Sequence, residues 1–203
     1  MVTHGDTPST PPRPPHPLLQ HFGTTLRQYR QQRGLSQPAL AASTGILSSY
    51  ISQIELGKRN IAVLTLLRLA RALDIPAAWL LAGLNTDATL APPVVRDPLP
   101  HRGASDAGLT PDSMPHVRPN DQTMLLSLLG ATIRQARQSQ RLSQPALAAS
   151  TGLSFGYISA IELGQRNLSV LSLVRLADAL GLSVTHLLAP LEAHQNPSAP
   201  LTT

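Results

Sequence analysis

Residues 35–59 read LSQPALAASTGILSSYISQIELGKR, and residues 142–166 read LSQPALAASTGLSFGYISAIELGQR. The offset of 107 residues continues into the flanking segments, where roughly 37 of 62 aligned positions are identical. Agreement of this extent at one fixed offset is the mark of an internal repeat. The chain therefore contains two copies of a domain of about 60 residues.

Apolar residues in each copy recur at the spacing typical of helices, and helix-ending residues lie between the runs. The pattern in the first copy predicts five helices, at about 22–33, 37–44, 48–56, 63–73 and 75–81. Ser36 is the expected N-cap of the second helix, and glycines follow the first three. The sequence therefore predicts an all-α fold of two tandem five-helix domains.

The predicted third helix has two unlike faces. Leu47, Ile51 and Ile54 recur at i, i+4 and i+7 and are expected to point inward. The opposite face carries three hydroxyls and an amide, on Ser48, Ser49, Ser52 and Gln53. Glutamine can pair with adenine in the major groove of DNA, and serine suits several bases. The same face is equally consistent with a solvated helix surface.

The segments outside the repeats are rich in proline. Six of the 19 prolines lie in the first 17 residues, and seven more lie between Pro92 and Pro119. Such segments bury too little apolar surface to offset the entropy of ordering them. The predicted organisation is a disordered tail at 1–17, a domain at 18–84, a flexible linker at 85–123, a second domain at 124–190 and a disordered tail at 191–203.

Positive charge is concentrated in the two copies. The formal net charge of the chain is +5, and residues 22–84 hold seven basic and two acidic side chains. Residues 129–190 hold five basic and two acidic side chains, whereas the remaining segments are neutral or acidic. This distribution fits an anionic partner such as nucleic acid.

The composition also disfavours several classes of protein. The absence of cysteine excludes disulfides and thiolate metal sites. No segment approaches the roughly 18 consecutive apolar residues of a membrane helix. We expect a cytoplasmic, nucleoid-associated protein with no metal, no other cofactor, no membrane partner and no small-molecule ligand. Within the copies, the acids and the one internal histidine are too few for a catalytic constellation, which argues against an enzyme.

Both copies resemble the Cro and phage-repressor family of helix-turn-helix domains, also called the xenobiotic-response-element family. The motif that carries the resemblance is LSQ, LA, G, YIS, IE, G and R at fixed spacing, and it is complete in residues 35–59 and 142–166. The resemblance covers about 125 of the 203 residues. It implies a bacterial or phage-type transcriptional regulator, here expected to be a repressor, that reads double-stranded DNA with the third helix of each domain.

The resemblance also implies roles for individual residues. Base reading is expected from the exposed faces of the third helices, at Ser48, Ser49, Ser52, Gln53, Phe155, Gly156, Ser159 and Ala160. Phosphate contacts are expected from the glutamine that opens each second helix and from the turn after each third helix, at Gln37, Lys58, Arg59, Asn60, Gln144, Gln165, Arg166 and Asn167. Structural ion pairs are expected between Arg30 and Glu55 and between Arg137 and Glu162.

The second copy departs from the first at three of the predicted base-reading positions and at one helix end. Phe155, Gly156 and Ala160 offer fewer hydrogen-bonding groups, so we expect the first domain to dominate affinity and base choice. Phe155 is consistent either with contact to a thymine methyl group or with an exposed docking site for protein. Arg141 stands where the first copy has Gly34, so its helix is expected to end in a less favourable conformation or to end differently.

Two questions of function stay open from the sequence. The main alternative to a DNA-binding regulator is a protein-interaction adaptor that keeps the helix-turn-helix fold without binding DNA. The second question is whether two copies in one chain replace or supplement a homodimer, since the linker permits two adjacent half-sites without enforcing symmetry between them.

Overall fold

In the computed structural model, the described residues, 16–82 and 119–195, form ten α-helices. The helices of the first domain are α1 (Pro17–Gln32), α2 (Gln37–Thr44), α3 (Ser48–Glu55), α4 (Val63–Ala72) and α5 (Ala77–Leu80). Those of the second domain are α6 (Pro119–Ser139), α7 (Gln144–Thr151), α8 (Phe155–Glu162), α9 (Val170–Ala179) and α10 (Val184–Gln195). The predicted all-α fold of two five-helix domains is confirmed.

The outer helices extend beyond their predicted limits. α1 begins at Pro17, where His16 Nδ1 accepts a hydrogen bond from the backbone N–H of Leu18 and the proline needs no partner for its nitrogen. α6 begins at Pro119, inside the predicted linker, and α10 runs to Gln195, inside the predicted C-terminal tail. α10 extends because Leu191 is fully buried. The rest of the predicted tails and linker lies outside the described residues.

The ends of the short helices follow their local sequences. Ser36 Oγ accepts a hydrogen bond from Ala39 N at 3.1 Å, which confirms the predicted N-cap of α2. Ser154 caps α8 in the same way, whereas α3 has no side-chain cap because Leu47 stands at that position. Arg141 adopts a positive φ of 56°, so the less favourable of the two expected helix ends is the one present.

Each third helix lies against the first helix of its own domain. Ile51 and Ile54 of α3 are fully buried, and Gly23 of α1 faces the backbone of α3. A Cβ atom placed on Gly23 would lie 2.7 Å from the carbonyl oxygen of Glu55. Gly130 has the same relation to α8, with the carbonyl oxygen of Glu162 at 2.9 Å. Glycine is therefore required where the two backbones approach each other.

The two domains contact each other directly through the N-termini of α4 and α9. Val63 N donates a hydrogen bond to Leu168 O, and Val170 N donates one to Ile61 O, each at 2.9 Å. The two bonds form a short antiparallel bridge between Ala62 and Ser169. No sequence pattern predicted this contact.

The contact between the domains has local two-fold symmetry. With the offset of 107 residues, Leu168 corresponds to Ile61 and Val170 corresponds to Val63. Exchanging the two domains therefore converts each of the two hydrogen bonds into the other. Reciprocal pairing of this kind is the property of an isologous interface. The local two-fold axis passes between Ala62 and its own equivalent, Ser169.

One hydrogen bond between the domains has no described symmetric counterpart. α10 is longer than α5 and packs against it. Glu192 Oε1 accepts a hydrogen bond from Ala78 N, in the first turn of α5, at 3.0 Å. Burial raises the pKa of Glu192, although the backbone N–H groups of Ala78 and Ala77 oppose that change. The second domain thus supplies a carboxyl group to a helix of the first that has no side-chain cap of its own.

Candidate nucleic-acid interface

The polar face of α3 lies at the surface of the first domain. Ser49 is exposed, and Ser48, Ser52 and Gln53 are half-buried. Ile51 and Ile54, on the opposite side of the helix, are fully buried as predicted. Leu47, which precedes the first turn of α3, is 77% exposed, so the prediction that it points inward is wrong. The four base-reading residues predicted for this domain therefore share one accessible surface, and none of them is buried in the domain core.

The equivalent surface of α8 is less polar. Phe155 is 54% exposed and Gly156 is exposed, while Ser159 and Ala160 are half-buried. Ser159 is the one side chain of this predicted set that can form a hydrogen bond. The two third helices thus present different chemistry in equivalent positions.

A buried ion pair fixes the third helix of each domain. Arg30 Nε and Nη2 donate to Glu55 Oε1 and Oε2 at 2.5 and 2.9 Å, which makes the pair bidentate. Arg30 Nη1 also donates to Leu35 O, in the turn before α2, at 2.7 Å. Arg137 and Glu162 repeat this geometry at 2.6 and 2.9 Å. One arginine in each domain therefore connects the first and third helices with the turn that precedes the second.

The same glutamates orient the glutamines that open the second helices. Gln37 Nε2 donates to Glu55 Oε2 at 2.9 Å, and Gln144 Nε2 donates to Glu162 Oε2 at 2.8 Å. A glutamine amide has two N–H donors, so each retains one. Both side chains are half-buried at the N-terminus of a helix, where backbone N–H groups favour an anion.

The ionisation of these glutamates follows from their partners. Burial alone raises the pKa of Glu55, but the hydrogen bonds from Arg30 and Gln37 and the charges of Arg30 and Arg27 together hold it below its usual value. The pKa of Glu162 is lowered for the corresponding reasons. Both carboxylates are therefore charged at neutral pH, and their charge is directed at arginine and glutamine inside the domain.

The turn after α3 holds a cation beside the reading face. Lys58 and Arg59 are exposed. Arg59 Nε donates to Gln53 Oε1 at 2.5 Å, and its guanidinium lies 5.8 Å from the centre of the Tyr50 ring. Tyr50 was not among the predicted site residues, although a tyrosine occupies the equivalent position in both copies.

The turn after α8 carries Gln165 and Arg166, both exposed. Ala160 replaces Gln53 in this domain, so Arg166 has no equivalent amide with which to form the hydrogen bond that holds Arg59. The two turns therefore differ in how firmly they position their arginines.

Asn60 and Asn167, which were predicted to contact phosphate, connect the two domains. Asn60 Oδ1 accepts a hydrogen bond from Leu171 N at 3.2 Å, in the first turn of α9. Asn167 Oδ1 accepts one from Leu64 N at 3.3 Å, in the first turn of α4. Each asparagine caps a helix of the opposite domain, and the two bonds exchange under the local two-fold. Their side-chain oxygens are thus engaged in the domain interface.

The residues that the structure describes contain neither a metal-binding cluster nor a membrane-spanning helix. Among them, no three histidine, aspartate or glutamate side chains come together in a group that could hold a metal ion. None of the helices in residues 16–82 and 119–195 is long and apolar enough to cross a membrane.

Comparison with known proteins places both repeats in one sequence family. A family model described as helix-turn-helix matches residues 26–80 and again residues 133–187. The HTH-type transcriptional regulator SutR of Escherichia coli K12 is 36% identical over 81 residues, which are 40% of this chain and 43% of SutR. The match thus spans less than half the length of SutR.

Two shorter proteins match one domain each. The uncharacterized HTH-type transcriptional regulator y4dJ of Sinorhizobium fredii is 38% identical over 63 residues, which are 31% of this chain and 82% of that protein. The solved structure of the restriction-modification controller protein C.AhdI from Aeromonas hydrophila is 37% identical, with a TM-score of 0.30. The alignment covers 30% of this chain and 94% of that chain.

Proposed function

The chain belongs to the helix-turn-helix family, and on this premise we propose that it is a transcriptional regulator that binds double-stranded DNA and reads the major groove with α3 and α8. One observation carries the proposal. The accessible polar face of α3 lies between Gln37, at the start of α2, and Arg59, in the turn after α3, and a single buried ion pair orients this region.

We assign base reading to the accessible residues of the third helices. In α3 these residues are Ser48, Ser49, Ser52 and Gln53. Gln53 is suited to adenine, whose N6 and N7 groups match its amide, and the serines are short enough to approach base edges. In α8 these residues are Phe155, Gly156, Ser159 and Ala160, of which Phe155 and Ala160 suit contact with a thymine methyl group. The first domain therefore contributes more of the base discrimination.

We assign phosphate binding to residues on either side of the reading faces, at the start of each second helix and in the turn after each third helix. Gln37 and Gln144 each retain one amide N–H beside a helix N-terminus, where backbone N–H groups also favour a phosphate. Lys58, Arg59 and Arg166 supply positive charge, and Gln165 occupies the position equivalent to Lys58. Asn60 and Asn167 support these turns by fixing them to the opposite domain.

Repression is the regulatory outcome that we propose. Both folded units within the described residues are helix-turn-helix domains, so their structure supports occupation of a promoter as the direct action. A reporter gene placed behind a bound site should lose expression when the intact chain is present, and an increase in expression would contradict repression.

The test of DNA binding is a selection of random duplexes with the intact chain at low salt, followed by titration of the recovered duplexes. We expect enrichment of a defined sequence and affinity that falls steeply as salt rises, because cations displaced from phosphates contribute to binding. Gln53→Ala should relax the preferred base at one position, whereas Lys58→Ala should weaken all sequences alike and reduce the salt dependence by about one ion. The adaptor alternative predicts no DNA binding even at low salt.

A further inference from the structure

We propose that one chain, acting as a monomer, occupies a single DNA site composed of two inverted half-sites of unlike sequence. The inference rests on the proposed function and adds the kind of DNA that the two domains bind together. Three observations support it: the symmetry of the domain interface, the reach of the segments beside it, and the difference between α3 and α8.

The interface sets the direction in which each domain meets DNA. Four hydrogen bonds join α4 and α9 and the residues that precede them, and they form two pairs that exchange under the local two-fold. A two-fold relation between domains also relates their third helices, so α3 and α8 are presented as an inverted pair. Half-sites in a DNA site bound by such a pair are inverted as well.

The segments that connect each third helix to the interface are long enough for the two helices to reach adjacent half-sites. The chain from the end of α3 at Glu55 to the bridge at Ala62 spans at most roughly 25 Å, and the same holds in the second domain. Paired residues in an antiparallel bridge are separated by roughly 5 Å. The ends of α3 and α8 therefore lie within roughly 55 Å of each other, which accommodates the roughly 34 to 36 Å between half-sites one helical turn apart.

The interface is complete within one chain. Asn167 of the opposite domain caps the first turn of α4, and Asn60 adds a cap to that of α9, where Ser169 Oγ also accepts a hydrogen bond from Ser172 N. Val63 and Val170 also have their backbone partners across the interface. Because both domains belong to one polypeptide, they associate within the chain at a high effective concentration. A domain of a second chain could replace one of them only at a comparable concentration in solution. The surface through which two such domains pair is thus occupied without a second molecule.

The two halves of this arrangement read different sequences. Ser48, Ser49 and Gln53 of α3 are replaced in α8 by Phe155, Gly156 and Ala160. Hydroxyl and amide groups select bases by hydrogen bonds, whereas an aromatic ring and a methyl group favour the apolar edge of thymine. A symmetric scaffold with unlike reading helices fits a site whose two halves are inverted in direction and different in sequence.

The test compares the intact chain with Phe155→Ser, Gly156→Ser and Ala160→Gln combined, which gives α8 the reading face of α3. All three positions are accessible, and thermal denaturation establishes that the variant is folded. Random duplexes are selected with both proteins, and the mass of each complex gives the number of chains per duplex. A matched control variant, Arg175→Gln, changes an exposed residue of α9 outside both reading faces.

We expect the intact chain and the control to select two unlike inverted half-sites with one chain bound per duplex. The combined variant should select two like half-sites, both equal to the first-domain half-site, at unchanged spacing. A symmetric palindrome selected by the intact chain, direct repeats, a lone half-site, or two chains per duplex would overturn this inference and leave the proposed function standing. The proposed function itself fails if no sequence is enriched at low salt.

Discussion

Arg141 shows how one residue departs from the pattern of its own repeat. Its φ of 56° is the left-handed conformation that Gly34 adopts at the equivalent position with a φ of 65°. The reverse exchange occurs after the fourth helices, where Asp74 has a φ of 51° and Gly181 has a φ of 57°. Each domain therefore has one non-glycine residue in a conformation that favours glycine.

Arg141→Gly is expected to raise the free energy of unfolding of the second domain by about 0.5 to 1 kcal/mol. Relief of the left-handed strain of about 1 to 2 kcal/mol exceeds the entropy that glycine adds to the unfolded chain. Urea denaturation of the full chain measures the change. Gly34→Arg is the matched reverse substitution and should destabilise the first domain; stabilisation by it would contradict the explanation.

Glu55 shows how one buried carboxylate serves several partners. Its side chain is 4% exposed, and it accepts hydrogen bonds from Arg30 and Gln37. Its pKa is lowered by these partners, so its stabilising effect is present at neutral pH and is lost as the pH falls through the folded-state pKa.

Glu55→Ala is expected to lower the free energy of unfolding by about 3 to 5 kcal/mol, because the charge of Arg30 is left buried without a partner. Fluorescence of Trp79, the only tryptophan, reports the melting temperature of the first domain, where its ring stacks on Tyr29 at 6.3 Å. Asp74→Asn is the control, since the pair of Asp74 with Arg33 is 3.8 Å long and exposed. An unchanged melting temperature for Glu55→Ala would refute the structural role.

Among the helices, the first and third of each domain pack with their backbones in close approach. Gly23 and Gly130 permit this approach because a Cβ at either position would meet backbone atoms of α3 or α8. Backbone atoms cannot turn aside as a flexible side chain can. The position of each reading helix therefore depends on a glycine that contacts no DNA.

Gly130→Ala is expected to destabilise the second domain by about 1 to 3 kcal/mol, since the added methyl group forces α6 and α8 apart. Gly156→Ala provides the matched control within the same domain. A Cβ at Gly156 meets nothing within 4 Å, so alanine should stabilise α8 by about 0.5 to 1 kcal/mol. Equal effects of the two substitutions in thermal denaturation would argue against the close approach.

At the scale of the whole molecule, the contact between the domains combines a symmetric and an asymmetric part. The symmetric part consists of the bridge and the two asparagine caps. The asymmetric part is the hydrogen bond that Glu192 of α10 accepts from Ala78 of α5. The first part relates the reading helices, and the second adds a contact that has no described counterpart.

Asn60→Ala combined with Asn167→Ala is expected to weaken the association of the domains without unfolding either one. Loss of a helix cap costs about 1 kcal/mol at each site. Affinity for a DNA site with two half-sites should fall, whereas affinity for a single half-site should change little. Titration of both duplexes tests this, with Arg175→Gln, at an exposed position of α9 outside both reading faces, as the control. An equal loss on both duplexes would favour direct phosphate contact by the asparagines.

Glu192→Gln is expected to stabilise the chain at neutral pH. Glutamine keeps an oxygen that can accept the hydrogen bond from Ala78 but removes the buried charge. Because burial raises the pKa of Glu192, the protonated form is favoured in the folded state. The stabilisation of the folded chain by protonated Glu192 is fully present below the unfolded-state pKa of about 4.3. It is lost as the pH rises through the folded-state pKa.

The advantage of Glu192→Gln should therefore be largest near neutral pH and disappear in acid. Denaturation curves of the variant and the intact chain across this range measure the difference. Gln165→Ala, at an exposed position of the same domain that carries no ionisable group, is the control. A growing advantage of Glu192→Gln in acid would contradict the assignment.

The duplication, the two all-α domains and the family follow from the sequence by itself, because helix periodicity, caps and motif spacing are local properties of the chain. The polar face of α3 and the pairing of Arg30 with Glu55 were also predictable, since both belong to a motif that recurs in each copy. The extension of α10 was not predictable, because it depends on burial of Leu191 against the folded body.

Only the tertiary structure decided how the domains face each other. Asn60 and Leu171 are 111 residues apart, and the group that Asn60 caps is a backbone N–H that almost any residue would supply. Such a donor leaves no signature in the amino-acid sequence. The two-fold relation that turns two linked domains into one inverted pair therefore arises from packing and backbone hydrogen bonds, which the chain acquires only when it folds.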